Sequence, residues 1–474
     1  MPDTHKPIRV VVVGGGITGL ACAYRLQNRL SILGRPFEIT LIESSNRLGG
    51  IIETIRRDQF LIEKGPDAFL SEKPRGMGLA NELAITNLLL QTQPENRRSF
   101  ILKENNLRPI PRGFHILAPT DILEMMTTRL LTLKGKARLL KEFFVPIKPP
   151  TDESLGSFVS RRFGPEVLQH LAQPIVNAIY GADPGALSMR ATFPHFLQLE
   201  EQGSLLLSAL KGSREFSAAQ ASGARYSLMM SFKDGMQTLV DHMANHLRSV
   251  TIQRGVSAAR LSVEGERWKI KLSNAQEIEA DGICVTLSAE STALLLQDLF
   301  PALSNTLREI PHADSLSAYY AVKKSLIGNA IAGSGLLVPE VERKSFTACT
   351  LVHNKFSDRA PKEFALLRAF AGGKAANALW SMSDDEIQRR IFADLKAILK
   401  IRGTPEFTEI FRYRKGLPHY TVGHLDRIET IKKNLAALPT LALGGNWRQG
   451  VGIPDCIDSG ERAADQVIMD LCQI

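Results

Sequence analysis

Positions 8 to 13 read Ile-Arg-Val-Val-Val-Val, a short β-branched run that stops at Gly14-Gly15-Gly16. Such a run ending in a glycine turn is the pattern of a buried parallel strand. Ile17, Leu20, Ala21 and Tyr24 then fall at i, i+3, i+4 and i+7, so a helix with one apolar face is expected next. A second strand over 37–42 closes a βαβ unit. From 111 to about 220 the pattern turns to Leu- and Met-rich helical stretches broken by Pro146, Pro149, Pro150, Pro174 and Pro184, which reads as an inserted helical part. Strand-like segments return at 250–252, 268–272 and 282–286. A mixed region follows over 313–412, with apolar runs at 336–338 and 364–370. The chain closes on a strand at 441–443, a glycine turn and a helix with Ile457, Ala464, Val467, Ile468 and Leu471 on one face. No internal repeat is evident.

Composition excludes several classes. With 474 residues, 44% hydrophobic and 23% charged, the chain is a globular protein of about three domains. The stretch 167–182 is interrupted by Gln169, His170, Gln173, Pro174 and Asn177, so no membrane-spanning helix is expected there or elsewhere. The strand-like run begins by Ile8, leaving no room for a signal peptide, and a cytoplasmic location is expected. The net charge of +9 suits anionic ligands without calling for nucleic acid. Cysteines 22, 284, 349, 456 and 472 have no zinc or CxxC spacing and read as small buried thiols. His242 and His246 lie one helical turn apart, but Met243 stands where a zinc protease has Glu, so a solvated helix face is expected and no metal.

Gly14-x-Gly16-x-x-Gly19, between a strand and a helix, has the context of a dinucleotide-binding turn: room for the turn, for a pyrophosphate, and for close helix–strand packing. The helix N-terminus, including Gly15, Ile17 and Thr18, would face the anion. Glu43, at the end of the second strand, can accept both ribose hydroxyls. NAD and FAD share these features. The stretch from Glu43 and Ser44 through Arg47 to Gly49-Gly50 adds a second glycine turn that a nicotinamide dehydrogenase does not need.

This Glu-x-x-x-Arg-x-Gly-Gly stretch resembles the signature of the FAD-containing amine oxidase superfamily. Gly65-Pro66-Asp67-Ala68-Phe69, Gly416-Leu417-Pro418-His419-Tyr420 and Gly450-Val451-Gly452-Ile453-Pro454-Asp455 are similar to segments of the protoporphyrinogen and coproporphyrinogen oxidases, the bacterial coproporphyrinogen III oxidases above all. His419 departs from that pattern, which usually has Gln. The motifs run from residue 14 to residue 460.

The resemblance implies an α/β fold with a discontinuous Rossmann-like FAD-binding domain (1–80, 226–295 and 415–474), a mixed-sheet substrate domain (81–110 and 296–414) and a helical domain (111–225). It implies non-covalent FAD held by Gly14 to Gly19, Glu43, Ser44, Arg47, Gly49, Gly50, Ile51, Gly65, Pro66, Asp67, Ala68, Val451, Gly452 and Ile453, with Val256 contributing its backbone near the adenine and Tyr413 lying near the flavin. Arg98, in a locally basic stretch, would bind a substrate carboxylate, and Leu337 and Leu351 would sandwich a macrocycle. The activity implied is oxidation of a porphyrinogen by dioxygen in haem synthesis, with peripheral membrane contact and product hand-off to a downstream enzyme as further expectations. An amine oxidase or carotenoid desaturase relative is the alternative enzyme, and a flavin-bearing porphyrin carrier the alternative outside catalysis. No catalytic base stands out in the sequence.

Overall fold

The computed structural model describes residues 6–147, 151–210 and 229–472. The ends of the expected first and last FAD-binding pieces, and residues 211–225 of the expected helical domain, lie outside these.

The β-branched run forms strand β1 (Ile8–Val13), followed by helix α1 (Ile17–Ile32) and strand β2 (Phe37–Glu43). β1 is central in a five-stranded parallel sheet, between β2 and Gly282–Val285, with Val250–Arg254 and Leu441–Leu443 at the edges. The sheet thus gathers strands from both ends and the middle of the chain, as an α/β fold with a discontinuous first domain requires. α1 and the C-terminal helix Ile453–Cys472 cover one face. A Cβ at Gly460 would lie 2.1 Å from the Thr18 carbonyl oxygen, so these two helices cross in near backbone contact.

The other face is covered by a three-stranded antiparallel sheet and by Ala289–Leu296, Pro301–Arg308 and His424–Ala436. This corrects the boundary expected at 296. Leu303 and Leu307 pack with Val13, Ile283 and Trp447, so Pro301–Arg308 belongs to the first domain's core. A second sheet of seven strands runs in the order Phe407–Pro418, His312–Lys323, Phe364–Gly372, Ala348–Leu351, Gly335–Leu337, Ser99–Lys103 and Asn106–Pro109. Its first strand continues past the boundary expected at 414, because Pro418 still pairs with His312.

Short helices between Ile122 and Leu210 bury their own apolar core against Leu337, Ala348 and Phe370 of that sheet. Inside them is an ion network. Arg162 and Glu142, both with fully buried side chains, pair at 2.8 Å, and Arg161 bridges Glu153 and Glu200 at 2.6 Å each. No described helix is long and apolar enough to cross a membrane.

Candidate functional site

At the end of β1 the chain turns through Gly14, whose φ of +108° lies in the region that favours glycine. The Thr286 hydroxyl donates to the Val13 and Gly14 carbonyls at 2.9 and 3.1 Å and closes the back of the turn. Gly19 is sterically obligatory: a Cβ there would lie 1.8 Å from the Gly14 oxygen. Gly16 is different. Its Cβ would meet nothing nearer than the Gly50 Cα at 4.0 Å, so the space in front of it is open. No side chain caps α1 and its first turn holds no acid, leaving bare amides toward that space. Glu43 accepts from the Gly15 amide at 2.7 Å and from the Ser45 amide at 2.8 Å, while the Ser44 hydroxyl donates to it at 3.3 Å. A carboxylate has lone pairs beyond these for ligand hydroxyls. The Val256 amide donates to the Glu43 carbonyl at 3.2 Å, bringing that backbone to the same edge.

Gly49 bridges to Gly16, its amide donating to the Gly15 carbonyl at 2.8 Å. Arg47 holds this second turn from within: it donates to the Leu48, Gly50 and Ile52 carbonyls and pairs with Glu53 at 3.1 Å. Its guanidinium is thereby a brace for the turn. Ile51 is exposed, and its carbonyl lies where a Cβ on Gly65 would be, at 1.9 Å, so the Gly65-Pro66-Asp67-Ala68 segment is pressed against the turn.

That segment rests on a buried charge cluster. Lys355 donates to both Asp67 oxygens at 2.9 and 2.8 Å. Although burial pushes the Asp67 carboxyl up, Lys355, Arg368 and Arg359 more than offset it and hold its pKa below the usual value. Arg368 donates to the Lys64 and Gly65 carbonyls at 2.9 and 2.6 Å, and its guanidinium lies over the rings of Phe370 and Tyr319. Tyr319 donates to the Glu63 carbonyl at 2.7 Å. Burial raises the Glu63 carboxyl to about 6 against the hydrogen bonds from Thr54 and the Met236 amide. Tyr413 is half-buried near Arg368, Arg47 and Glu53, so it stands beside the second turn; burial raises its hydroxyl pKa.

At the C-terminal end, the Gly450 amide donates to the Tyr420 hydroxyl at 2.7 Å. Asp455 accepts from the Gly452 amide at 3.1 Å and from Lys73 at 2.7 and 2.6 Å, so the anion at this helix start is paired with a cation. Val451 and Gly452 therefore lie in a loop fixed at both ends, and Ile453 opens the helix that follows. Cys456 is a buried free thiol whose pKa is pushed up to about 12 by burial, which suits packing and not attachment.

The chain matches the sequence profile described as flavin containing amine oxidoreductase over residues 17–468. It belongs to that family. Among its relatives is the coproporphyrinogen III oxidase of Bacillus subtilis (strain 168), 33% identical over 99% of both chains. Protoporphyrinogen oxidase 2 of Arabidopsis thaliana is 27% identical over 97% of this chain and 94% of its own. The crystal structure of a protein assigned as a protoporphyrinogen oxidase from Exiguobacterium sp. 255-15 superposes with a TM-score of 0.86 at 29% identity, over 98% of this chain and 99% of that one. A putrescine oxidase structure, at 15% identity and a TM-score of 0.69, shares the fold over 98% of this chain and 100% of its own.

The bare helix start, the open space at Gly16 and the Glu43 carboxylate fit the dinucleotide of a flavin-containing amine oxidoreductase. The three residues expected to hold substrate are not brought together. Leu337 pairs with Ala348, and both face the helices. Leu351 lies three positions beyond Ala348, and an odd step along a strand reverses the side, so it packs with Leu336 and Cys349 against Asp384–Leu399 on the opposite face. A Leu337–Leu351 sandwich is therefore ruled out by register. Arg98 is exposed just before Ser99–Lys103, where its carbonyl accepts from the Ser334 amide at 2.8 Å. The sequence pattern does not reveal Arg368, Lys355 and Arg359, the buried cations beneath the Gly65–Ala68 segment. An arginine inside the apolar run 364–370 was the available signal; Lys355 carried none.

Proposed function

We propose that this flavin-containing amine oxidoreductase uses FAD and dioxygen to oxidise a porphyrinogen to a porphyrin in haem biosynthesis, with coproporphyrinogen III as the favoured substrate. What carries this reading is full-length similarity to coproporphyrinogen III oxidases, 33% and 30% identical over 99% and 98% of this chain. Bound FAD would supply the redox chemistry, accepting a hydride from a meso carbon of the macrocycle and giving the electron pair to dioxygen. The chain supplies position and electrostatics. Amides from Gly16 to Gly19 would hold the pyrophosphate, Glu43 would accept ribose hydroxyls, and the amides of Val451 to Ile453 would stabilise negative charge on the reduced ring. Arg47, Lys355 and Arg368 hold the loops that carry these groups.

Coproporphyrinogen III carries four propionates and protoporphyrinogen IX two, so the net charge of +9 favours the former. In competition, coproporphyrinogen is expected to have the higher specificity constant, with a preference that shrinks as salt rises. A higher constant for protoporphyrinogen at every ionic strength would reverse the substrate assignment.

A cytoplasmic enzyme with peripheral membrane contact is part of the same proposal. Leu123, Leu133 and Phe144 are 74%, 85% and 87% exposed, and Arg129, Lys134 and Lys141 are exposed in the same helical stretch. Exposed apolar side chains in a stretch that also exposes cations suit an anionic bilayer surface, and a docked enzyme could hand its product to a downstream haem-synthesis enzyme. The protein is expected to remain in the supernatant in moderate salt without detergent and to sediment with anionic vesicles in low salt, less so as Phe144→Ser. Equal recovery in the supernatant with and without vesicles would remove this part.

A further inference from the structure

Beneath the Gly65–Ala68 segment the chain buries more cations than carboxylates. Lys355 ends the short helix Val352–Lys355, Arg359 lies in the loop after it, and Arg368 is on the strand Phe364–Gly372; they are 5%, 1% and 3% exposed. Two carboxylates face them, Asp67 on the segment itself and Glu63 at the end of the strand Phe60–Glu63. Lys355 is matched by Asp67, whose two oxygens accept from it. The two guanidiniums are not matched in this way. Arg359 donates to the Ser231 hydroxyl and to the Phe232 and Lys233 carbonyls at 3.1, 2.7 and 2.9 Å, and Arg368 to the Lys64 and Gly65 carbonyls. Glu63 in turn accepts from the Thr54 hydroxyl at 2.7 Å and the Met236 amide at 2.8 Å. Three buried cations against two carboxylates leave one positive charge over.

Burying a charge without its counter-ion is costly, so an unmatched cation marks a place where negative charge arrives from elsewhere. A substrate carboxylate cannot be the direct partner, because the guanidinium donors are taken up by backbone beneath the loop. What remains is action through the thickness of one chain segment. Arg368 bonds to the Gly65 carbonyl from below, the Ile51 carbonyl presses on Gly65 from the other side, and Gly50 of the same turn borders the open space at Gly16. Beside that turn the excess repeats, with Arg47 and Lys64 both paired to the single carboxylate of Glu53. In a low-dielectric interior, fixed charges act strongly over such a range.

We propose that this buried excess of cations sets the reduction potential of the bound FAD, by stabilising the negative charge left on the ring system when it takes up two electrons and one proton. The proposal rests on FAD lying against Gly65–Ala68, as the function proposed above requires. Lys355, Arg359 and Arg368 are fixed before reduction begins, so no reorganisation is needed as the charge develops. Glu63 is the counterweight, and neutralising it enlarges the excess.

The flavin midpoint potential is the readout, measured by slow anaerobic reduction beside a reference dye, with no porphyrinogen present. At about pH 8 both carboxylates are ionised, Glu63 because burial raises it only to about 6 and Asp67 because the cations hold it low. Lys355→Gln keeps a donor for Asp67 and removes one positive charge. Glu63→Gln keeps an acceptor for the Met236 amide and removes one negative charge. The equilibrium for reduction is expected to fall about tenfold in Lys355→Gln, about 30 mV for a two-electron couple, and to rise by about as much in Glu63→Gln. Lys355→Arg, which keeps the charge, is expected to stay at the wild-type potential. Shifts of one sign in both glutamine variants, or no shift in either, would overturn the assignment. Loss of flavin from both would also overturn it, since the cluster would then only support the loop. If one variant alone keeps its flavin, the sign of its shift decides. Opposite shifts in a protein that oxidises no porphyrinogen would uphold the role of the cluster and overturn the proposed function instead.

Discussion

Gly16→Val is expected to give a folded, colourless protein. The space in front of Gly16 is open, with the nearest atom to a Cβ the Gly50 Cα at 4.0 Å, so a β-carbon is accommodated by the chain itself. It fills the volume through which a pyrophosphate must approach the amides of α1. The flavin-to-protein ratio after purification is expected to fall from near one to near zero, with circular dichroism matching that of the wild-type apoprotein. Gly19→Ala provides the contrast. Its Cβ would lie 1.8 Å from the Gly14 oxygen, so the turn must open and folding suffers along with flavin binding. A yellow Gly16→Val protein would mean that the dinucleotide lies elsewhere.

Arg162→Ala is expected to produce the largest loss of stability. Arg162 is fully buried, pairs with Glu142 and donates to the Val145 and Gly203 carbonyls. Removing it leaves Glu142 buried without its cation, at a cost of about 3–5 kcal/mol. Glu142 also accepts from the Leu205 and Leu206 amides at 2.9 and 3.2 Å, so the start of Leu205–Leu210 should fray as well. Arg162→Lys is expected to recover only part, because one ammonium cannot reach the carboxylate and both carbonyls together. Thermal melts read the effect, and an unmoved midpoint in Arg162→Ala would show the network to be energetically idle.

Local features were legible in the sequence. The run at 8–13, the glycine spacing at 14–19 and the acid at 43 lie within one βαβ unit, and their geometry follows from short-range periodicity and turn chemistry. The second turn at Gly49-Gly50 was legible for the same reason, although the brace supplied by Arg47 was not, since a contact motif and a supporting motif read alike. What escaped depends on partners far along the chain. Lys355 and Asp67 are 288 positions apart, and nothing near either announces the other. Leu351 was misassigned because its side of the sheet depends on register: Leu337 opposite Ala348 places it on the far face. The apolar stripe of Pro301–Arg308 fits either core, and only the burial of Leu303 and Leu307 in the cluster that holds Val13, Ile283 and Trp447 decides its domain.

Oxidation of a porphyrinogen requires that its electrons pass first to the flavin. The direct measurement is anaerobic mixing of the purified yellow protein with coproporphyrinogen III, following flavin absorbance and porphyrin fluorescence together. Rapid bleaching is expected without oxygen, then recovery of the flavin colour and a burst of porphyrin fluorescence when oxygen is admitted. A flavin that stays oxidised in the presence of either porphyrinogen, yet bleaches with a primary amine, would contradict it.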